Sequence, residues 1–155
     1  MDIDVARTLA HRVHAGQLTR SGEPLIDHIE RVADAVPTDS AALAYLHEVL
    51  EKAAGAPDEL REHELSDFDY AVLGLLTHDP KESYRTYVLR IATSEGHEGR
   101  VAREIKRADL DDHLHNRRSA FGGPNYQWAT AQMIEAQLAK CEIPPLESVT
   151  LGRVA

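Results

Sequence analysis

Residues 25–36 read Leu25-Ile26-Asp27-His28-Ile29-Glu30-Arg31-Val32-Ala33-Asp34-Ala35-Val36, followed by Pro37. Leu25, Ile29, Val32 and Val36 recur at the three- and four-residue spacing of one helical face, and His28 falls inside that apolar stripe. Pro37 lies just beyond the end, where a helix cannot continue. The same period appears on either side. Val5, Leu9 and Val13 predict a helix over 4–15, stopped by Gly16, and 17–24 form a polar loop carrying Ser21-Gly22 and Pro24. Thr38 or Asp39 caps a third helix running to about residue 53, with Leu43, Leu46 and Leu50 as its apolar face.

Gly55-Ala56-Pro57 ends that helix, and a short helical segment is expected over 58–63. Ser66, with Asp69 three residues on, has the form of a capping box and starts a helix through Phe68, Val72, Leu75 and Leu76 that stops before Pro80. Helices are expected over 81–92, 98–117 and 126–140, with a loop at 120–125 around Gly122-Gly123-Pro124. Strict alternation over more than four residues is not found, nor is any repeat, low-complexity tract or internal linker. The pattern predicts an all-α, single-domain helical bundle over 1–143 and a C-terminal tail over 144–155.

The 155 residues carry 17 Lys+Arg against 26 Asp+Glu, a net charge of −9. An acidic surface argues against general nucleic-acid binding, which depends on neutralising phosphates. No apolar run approaches the roughly 20 residues of a membrane span. The start, Met1-Asp2-Ile3-Asp4, lacks the basic and apolar regions of a signal peptide. The single cysteine, Cys141, excludes an internal disulfide or a Cys-rich zinc site. The expectation is a cytoplasmic protein without membrane or nucleic-acid partners, its oligomeric state left open.

Nine histidines are present, and their positions matter more than their number. His28 lies between Leu25 and Ile29, and His47 between Leu46 and Leu50. In the helix carrying Val101, Ile105 and Ala108, Asp109 follows at i+4 from Ile105. Two histidines and an aspartate thus interrupt the core faces of three helices. Each is either a satisfied core polar group or part of a common site, since a bare buried carboxylate costs several kcal/mol. Nitrogen and oxygen ligands from neighbouring helices suit Mn²⁺, Fe²⁺ or Zn²⁺.

Three blocks carry a resemblance. They are His14-Ala15-Gly16-Gln17 with Ser21-Gly22-Glu23-Pro24-Leu25-Ile26-Asp27-His28, then Leu46-His47-Glu48-Val49-Leu50-Glu51, then Lys106-Arg107-Ala108-Asp109-Leu110. Leu76-Thr77-His78 and Glu82-Ser83-Tyr84-Arg85 precede the third. In order and spacing the chain, from about Ala6 to Asn116, resembles the HD-domain metal-dependent phosphohydrolases. Within them it is most similar to the small stringent-response hydrolases of guanosine tetra- and pentaphosphate.

The resemblance implies an HD-type bundle holding one divalent ion, Mn first with Fe or Zn as alternatives. It implies His28, His47, Glu48 and Asp109 as metal ligands and Glu51 as the carboxylate that orients the attacking water. Arg20 and Lys106, the cations inside the blocks, are the substrate-binding candidates for a nucleotide phosphate. The implied function is phosphoester or pyrophosphate hydrolysis of a nucleotide, with guanosine polyphosphate as one candidate substrate.

Four departures stand against the family pattern. Glu48 replaces the namesake aspartate, and it could equally form an i,i+4 pair with Lys52. Lys52 occupies the place of a second catalytic acid. Thr19 stands where an arginine is expected, with Arg20 displaced by one. His113 replaces an asparagine four residues after Asp109, as a ligand or as a surface residue. The alternative reading is therefore a degenerate HD protein that binds a nucleotide or a protein without efficient catalysis. His11 and His14, at i and i+3, have ligand spacing but suit a supporting or exposed role better. Tyr84 and Tyr87 either line a pocket or pack, packing being preferred, Trp128 is read as core or interface, and Arg107, Arg117 and Arg118 as solvated surface.

Overall fold

The structure is a computed structural model, and it describes residues 1–52, 60, 63, 65–115 and 123–142. The described residues fold as helices α1 (Ile3–Val13), α2 (Leu25–Asp34), α3 (Thr38–Leu46), α4 (Val49–Lys52), α5 (Asp67–Leu76), α6 (Tyr84–Thr93), α7 (Gly96–His115) and α8 (Gly123–Ala139). No strand occurs among them. An isolated bridge between Leu18 and Pro24 closes the loop between α1 and α2. The architecture is all-α. The tail over 144–155 and most of the expected 58–63 segment lie outside the described residues.

Side-chain caps set three of the helix starts. The Asp2 side chain accepts from the backbone N–H groups of Asp4 and Val5, so α1 begins one residue before the sequence reading. Ser66 and Asp69 form the reciprocal capping box that opens α5. Ser83 accepts from the Thr86 N–H at 3.1 Å, so α6 starts at Tyr84 rather than at 81. Gly123 opens α8, whereas the sequence reading left it in a loop.

The third helix departs most from expectation. It does not run to residue 53 but stops at Leu46, turns at His47 and Glu48, and resumes as the single turn α4. In an unbroken helix the Ala44 carbonyl would accept the Glu48 N–H. Here that carbonyl accepts the His47 Nδ1–H at 2.6 Å and the His47 backbone N–H at 3.4 Å. A side chain and a tightened i→i−3 backbone bond thus take the acceptor that an α-helix would give to Glu48. Nor does α3 have a wet face. Every residue from Ser40 to Leu46 is buried, because α1, α2 and α7 all pack against it.

Helix α7 runs through the middle, packed on α2, α3, α5, α6 and α8. Its twenty residues span about 30 Å. Leu25, Ile29, Leu46, Leu73, Ile91, Ile105, Leu110 and Met133 form the core around it. Arg103, fully buried on α7, donates to the Ile91, Ala92 and Ser94 carbonyls at the end of α6 and ion-pairs with Glu142. These partners offset a desolvation cost of several kcal/mol and tie the end of α8 to the α6–α7 turn.

Candidate metal centre

Three elements bring the inward polar residues together. Helix α2 presents His28, the turn after α3 presents His47 and Glu48, and α7 presents Asp109 and, one turn on, His113. The ligand atoms of His28, His47 and Glu48 lie within 4.8 Å of one another, as do those of His28, Asp109 and His113. His28 belongs to both groups, so the two form one cluster. The four ligand positions implied by the resemblance converge, although the third and fourth come from chain segments far apart in sequence.

The imidazoles are oriented by their outer nitrogens. The His28 Nδ1–H donates to the Asp112 carboxylate at 2.7 Å, and the His47 Nδ1–H donates to the Ala44 carbonyl. Each bond leaves Nε2 directed into the cluster, the usual arrangement behind a metal-bound histidine. Asp112 is held in turn by Arg31, which donates to both its oxygens at 2.5 and 3.0 Å and forks onto buried Glu23 at 2.8 and 3.0 Å. A polar scaffold from the loop, α2 and α7 thus fixes His28 from behind.

Inside the cluster, His28 Nε2, His47 Nε2 and Asp109 Oδ1 are buried and complete no hydrogen bond. Leaving one such atom unpaired costs about 1–3 kcal/mol, and one partner shared at this point would satisfy all three. The residues fit a divalent cation: two neutral-capable nitrogens, two carboxylates, and hydrogen-bonded support behind them. The spacing fits as well. His28 Nε2 is 3.3 Å from Asp109 Oδ1 and His47 Nε2 is 3.9 Å from Glu48 Oε1. Ligands at metal–nitrogen distances of about 2.05 Å in tetrahedral array lie about 3.4 Å apart.

The electrostatics attract a cation. Burial opposes protonation of His28, but the Asp109 and Asp112 carboxylates beside its two ring nitrogens outweigh it and lift the group to about 9. His47 moves the other way, pushed down by burial. Asp109 is opposed by burial, yet the Lys106 ammonium at 2.6 Å, with His113 and His28, holds it well below the usual carboxylate range. Asp112, likewise working against burial, is lowered to about 2 by His28 and Arg31. A field that keeps a proton on a buried imidazole stabilises positive charge at that nitrogen.

The cluster forms the floor of a cleft of 520 Å³ lined by Arg20, Glu51, Lys52, His78, Tyr84, Lys106 and Tyr126 among others. All seven candidates from the sequence therefore reach one cleft. Glu51 is exposed on α4 and accepts the His78 backbone N–H at 3.2 Å. Arg20 is exposed on the loop. Lys106 is buried and committed to Asp109, with its ammonium 5.0 Å from the Tyr87 ring centroid, so it acts on the cleft through Asp109 first. Glu48 is buried in the cluster, and its Oε1 also accepts from Lys52 Nζ at 2.6 Å, the i,i+4 pair that the sequence allowed.

Other readings are sorted by burial. His11 is exposed and pairs with Glu30, while His14 is buried and donates from Nδ1 to Gln17, whose amide donates to the Lys52 carbonyl. The i, i+3 pair is split, and His14 braces the loop against α4. Tyr87 packs in the core and donates to the Leu76 carbonyl at 2.5 Å; Tyr84 borders the cleft with a buried hydroxyl. Arg117 and Arg118 lie outside the described residues.

The sequence reading missed Asp112 and Arg31. Both sit three residues beyond a candidate ligand on the same helix, Asp109 and His28, and that spacing was the available signal. The chain matches no family model and no curated protein.

Proposed function

We propose that this chain is a metal-dependent phosphohydrolase acting on a nucleotide in the cytoplasm, a guanosine polyphosphate being the first candidate substrate. One observation carries the reading: three buried ligand atoms that complete no hydrogen bond meet at the floor of a cleft whose wall holds the exposed Glu51 carboxylate and several cations. The donor set of imidazoles and carboxylates suits Mn²⁺, Fe²⁺ or Zn²⁺. When bound there, such an ion supplies Lewis-acid polarisation of a phosphoryl oxygen and acidifies water.

The chain's own residues supply the rest. His28, His47, Glu48 and Asp109 hold the ion. Glu51, fixed by the His78 N–H, orients the attacking water and takes its proton. Arg20 faces the cleft from an exposed loop position and holds phosphate oxygens, while Lys106 lines the cleft and keeps Asp109 ionised. The lone cysteine and acidic composition support the cytoplasmic setting.

A second reading is favoured by one contact. Lys52 stands where the family has an acid, and its ammonium sits on the ligand Glu48. That arrangement suits a protein that binds a nucleotide without cleaving it. Metal analysis of protein purified without chelator or nickel affinity, followed by turnover on a nucleotide panel with added Mn²⁺, tests both. Stoichiometric metal with turnover supports the enzyme; metal with binding but no turnover supports the degenerate reading; no metal uptake overturns both.

A further inference from the structure

Building on that metal centre, we infer that His113 is a fifth ligand, giving three imidazoles and two carboxylates where the resemblance implies two and two. His113 lies one turn beyond Asp109 on α7, and its Nε2 is 3.2 Å from Asp109 Oδ1. The same oxygen is 3.3 Å from His28 Nε2. Two imidazole nitrogens thus flank one carboxylate oxygen, yet that oxygen completes no hydrogen bond. The three atoms stand as neighbouring vertices of one coordination polyhedron would, and both distances fall within the roughly 2.9–3.6 Å between neighbouring ligands of a five-coordinate ion at about 2.1 Å.

The ring is held in that pose. It stacks on His28 with centroids 4.9 Å apart and on Tyr126 with centroids 4.8 Å apart, the latter at an interplanar angle of 17°. Asp109 is prepared for the same division of labour. Its Oδ2 accepts from Lys106, which leaves Oδ1 to the side where both imidazoles stand. An asparagine at position 113 would offer an amide in place of a basic nitrogen.

The consequence is a changed metal preference. Each imidazole added to a site raises its affinity for Zn²⁺, Co²⁺ and Fe²⁺ relative to Mn²⁺, which prefers oxygen. The centre of this chain therefore takes Zn²⁺ or Fe²⁺ in preference to the Mn²⁺ implied by the resemblance.

The test uses the full chain, with Zn²⁺, Co²⁺ and Mn²⁺ as probes. X-ray absorption on the zinc-loaded wild type counts the imidazoles: three support the inference and two overturn it. Titration calorimetry and the visible Co²⁺ spectrum are then compared between wild type, His113→Asn and His113→Gln, with circular dichroism checking the helices. The expected result is a loss of Zn²⁺ affinity of about tenfold or more in both variants, a smaller loss for Mn²⁺, and a changed Co²⁺ spectrum. Unchanged Zn²⁺ affinity and spectrum would assign His113 to packing alone. A wild type that binds no metal overturns the centre itself, whereas metal bound equally well by wild type and His113 variants, but lost in His47→Ala, overturns only the role of His113.

Discussion

The Nδ1–H of His47 donates to the carbonyl of Ala44 at 2.6 Å, at the residue where α3 ends, and this leaves Nε2 on the side of His28. The helix end and the candidate ligand fall at one residue. A helix of alanines and leucines stops where a side chain reaches the floor of the cluster.

Replacing His47 with alanine removes that ligand and frees the Ala44 carbonyl for the backbone N–H of Glu48. Metal content measured by inductively coupled plasma analysis is expected to fall to background, while the helical circular dichroism is kept. Full occupancy in the variant would place the ligand elsewhere.

Asp112→Asn leaves an acceptor for His28 but removes the negative charge behind it and the strong partner of Arg31. Loss of such a supporting carboxylate typically weakens metal binding 10- to 100-fold. Calorimetric titration of Mn²⁺ or Zn²⁺ against wild type and variant reads this directly, and equal affinities would show that Asp112 serves only the fold.

The two departures on α4 and its turn are separable. Glu48→Asp shortens the ligand and is expected to keep or improve metal affinity; if Glu48 is merely a partner of Lys52, stability shifts by a few tenths of a kcal/mol and the metal is untouched. Lys52→Asp restores the missing acid and is expected to raise turnover, on the scale of roughly 10²–10⁴ for one acid/base group, with a rise in KM for an anionic substrate. Wild type, both single variants and the double variant are assayed on guanosine tetraphosphate. Turnover confined to the double variant would make the natural protein a degenerate hydrolase.

Metal removal acts on stability by mass action. An ion that binds only the folded chain, present at a hundred times its Kd, adds about 2.7 kcal/mol. For a domain of this size that corresponds to a rise in Tm of about 5–10 °C, reversed by chelator. Identical scanning calorimetry traces with EDTA and with saturating metal would contradict a folded-state site.

Away from the centre, Gly99 admits no side chain. A Cβ there would lie 2.5 Å from the Ser94 carbonyl oxygen, a backbone atom that cannot step aside. Gly99→Ala is expected to cost about 1–3 kcal/mol and lower Tm correspondingly, with no direct effect on the metal. An unchanged Tm would mean that the first turn of α7 shifts without cost.

Helix identity was legible in the residues because it depends on local spacing and local chemistry. The stripe Leu25, Ile29, Val32 and the Ser66–Asp69 capping box state their helices outright, and the same stripes marked His28, His47 and Asp109 as inward. What the residues alone left undecided depends on partners far away in the chain. At the break, the Ala44 carbonyl accepts both the side chain and the backbone N–H of His47, a local arrangement that periodicity does not reveal. The burial of Lys106 and Arg103 depends on Asp109, Glu142 and the end of α6 being close enough to offset desolvation. His113 read equally well as ligand or surface until α2 set His28 against it and α8 set Tyr126 on its other face. A helix specifies which of its faces is apolar through its own sequence, but the coordinates of an atom on another helix enter only when the two pack.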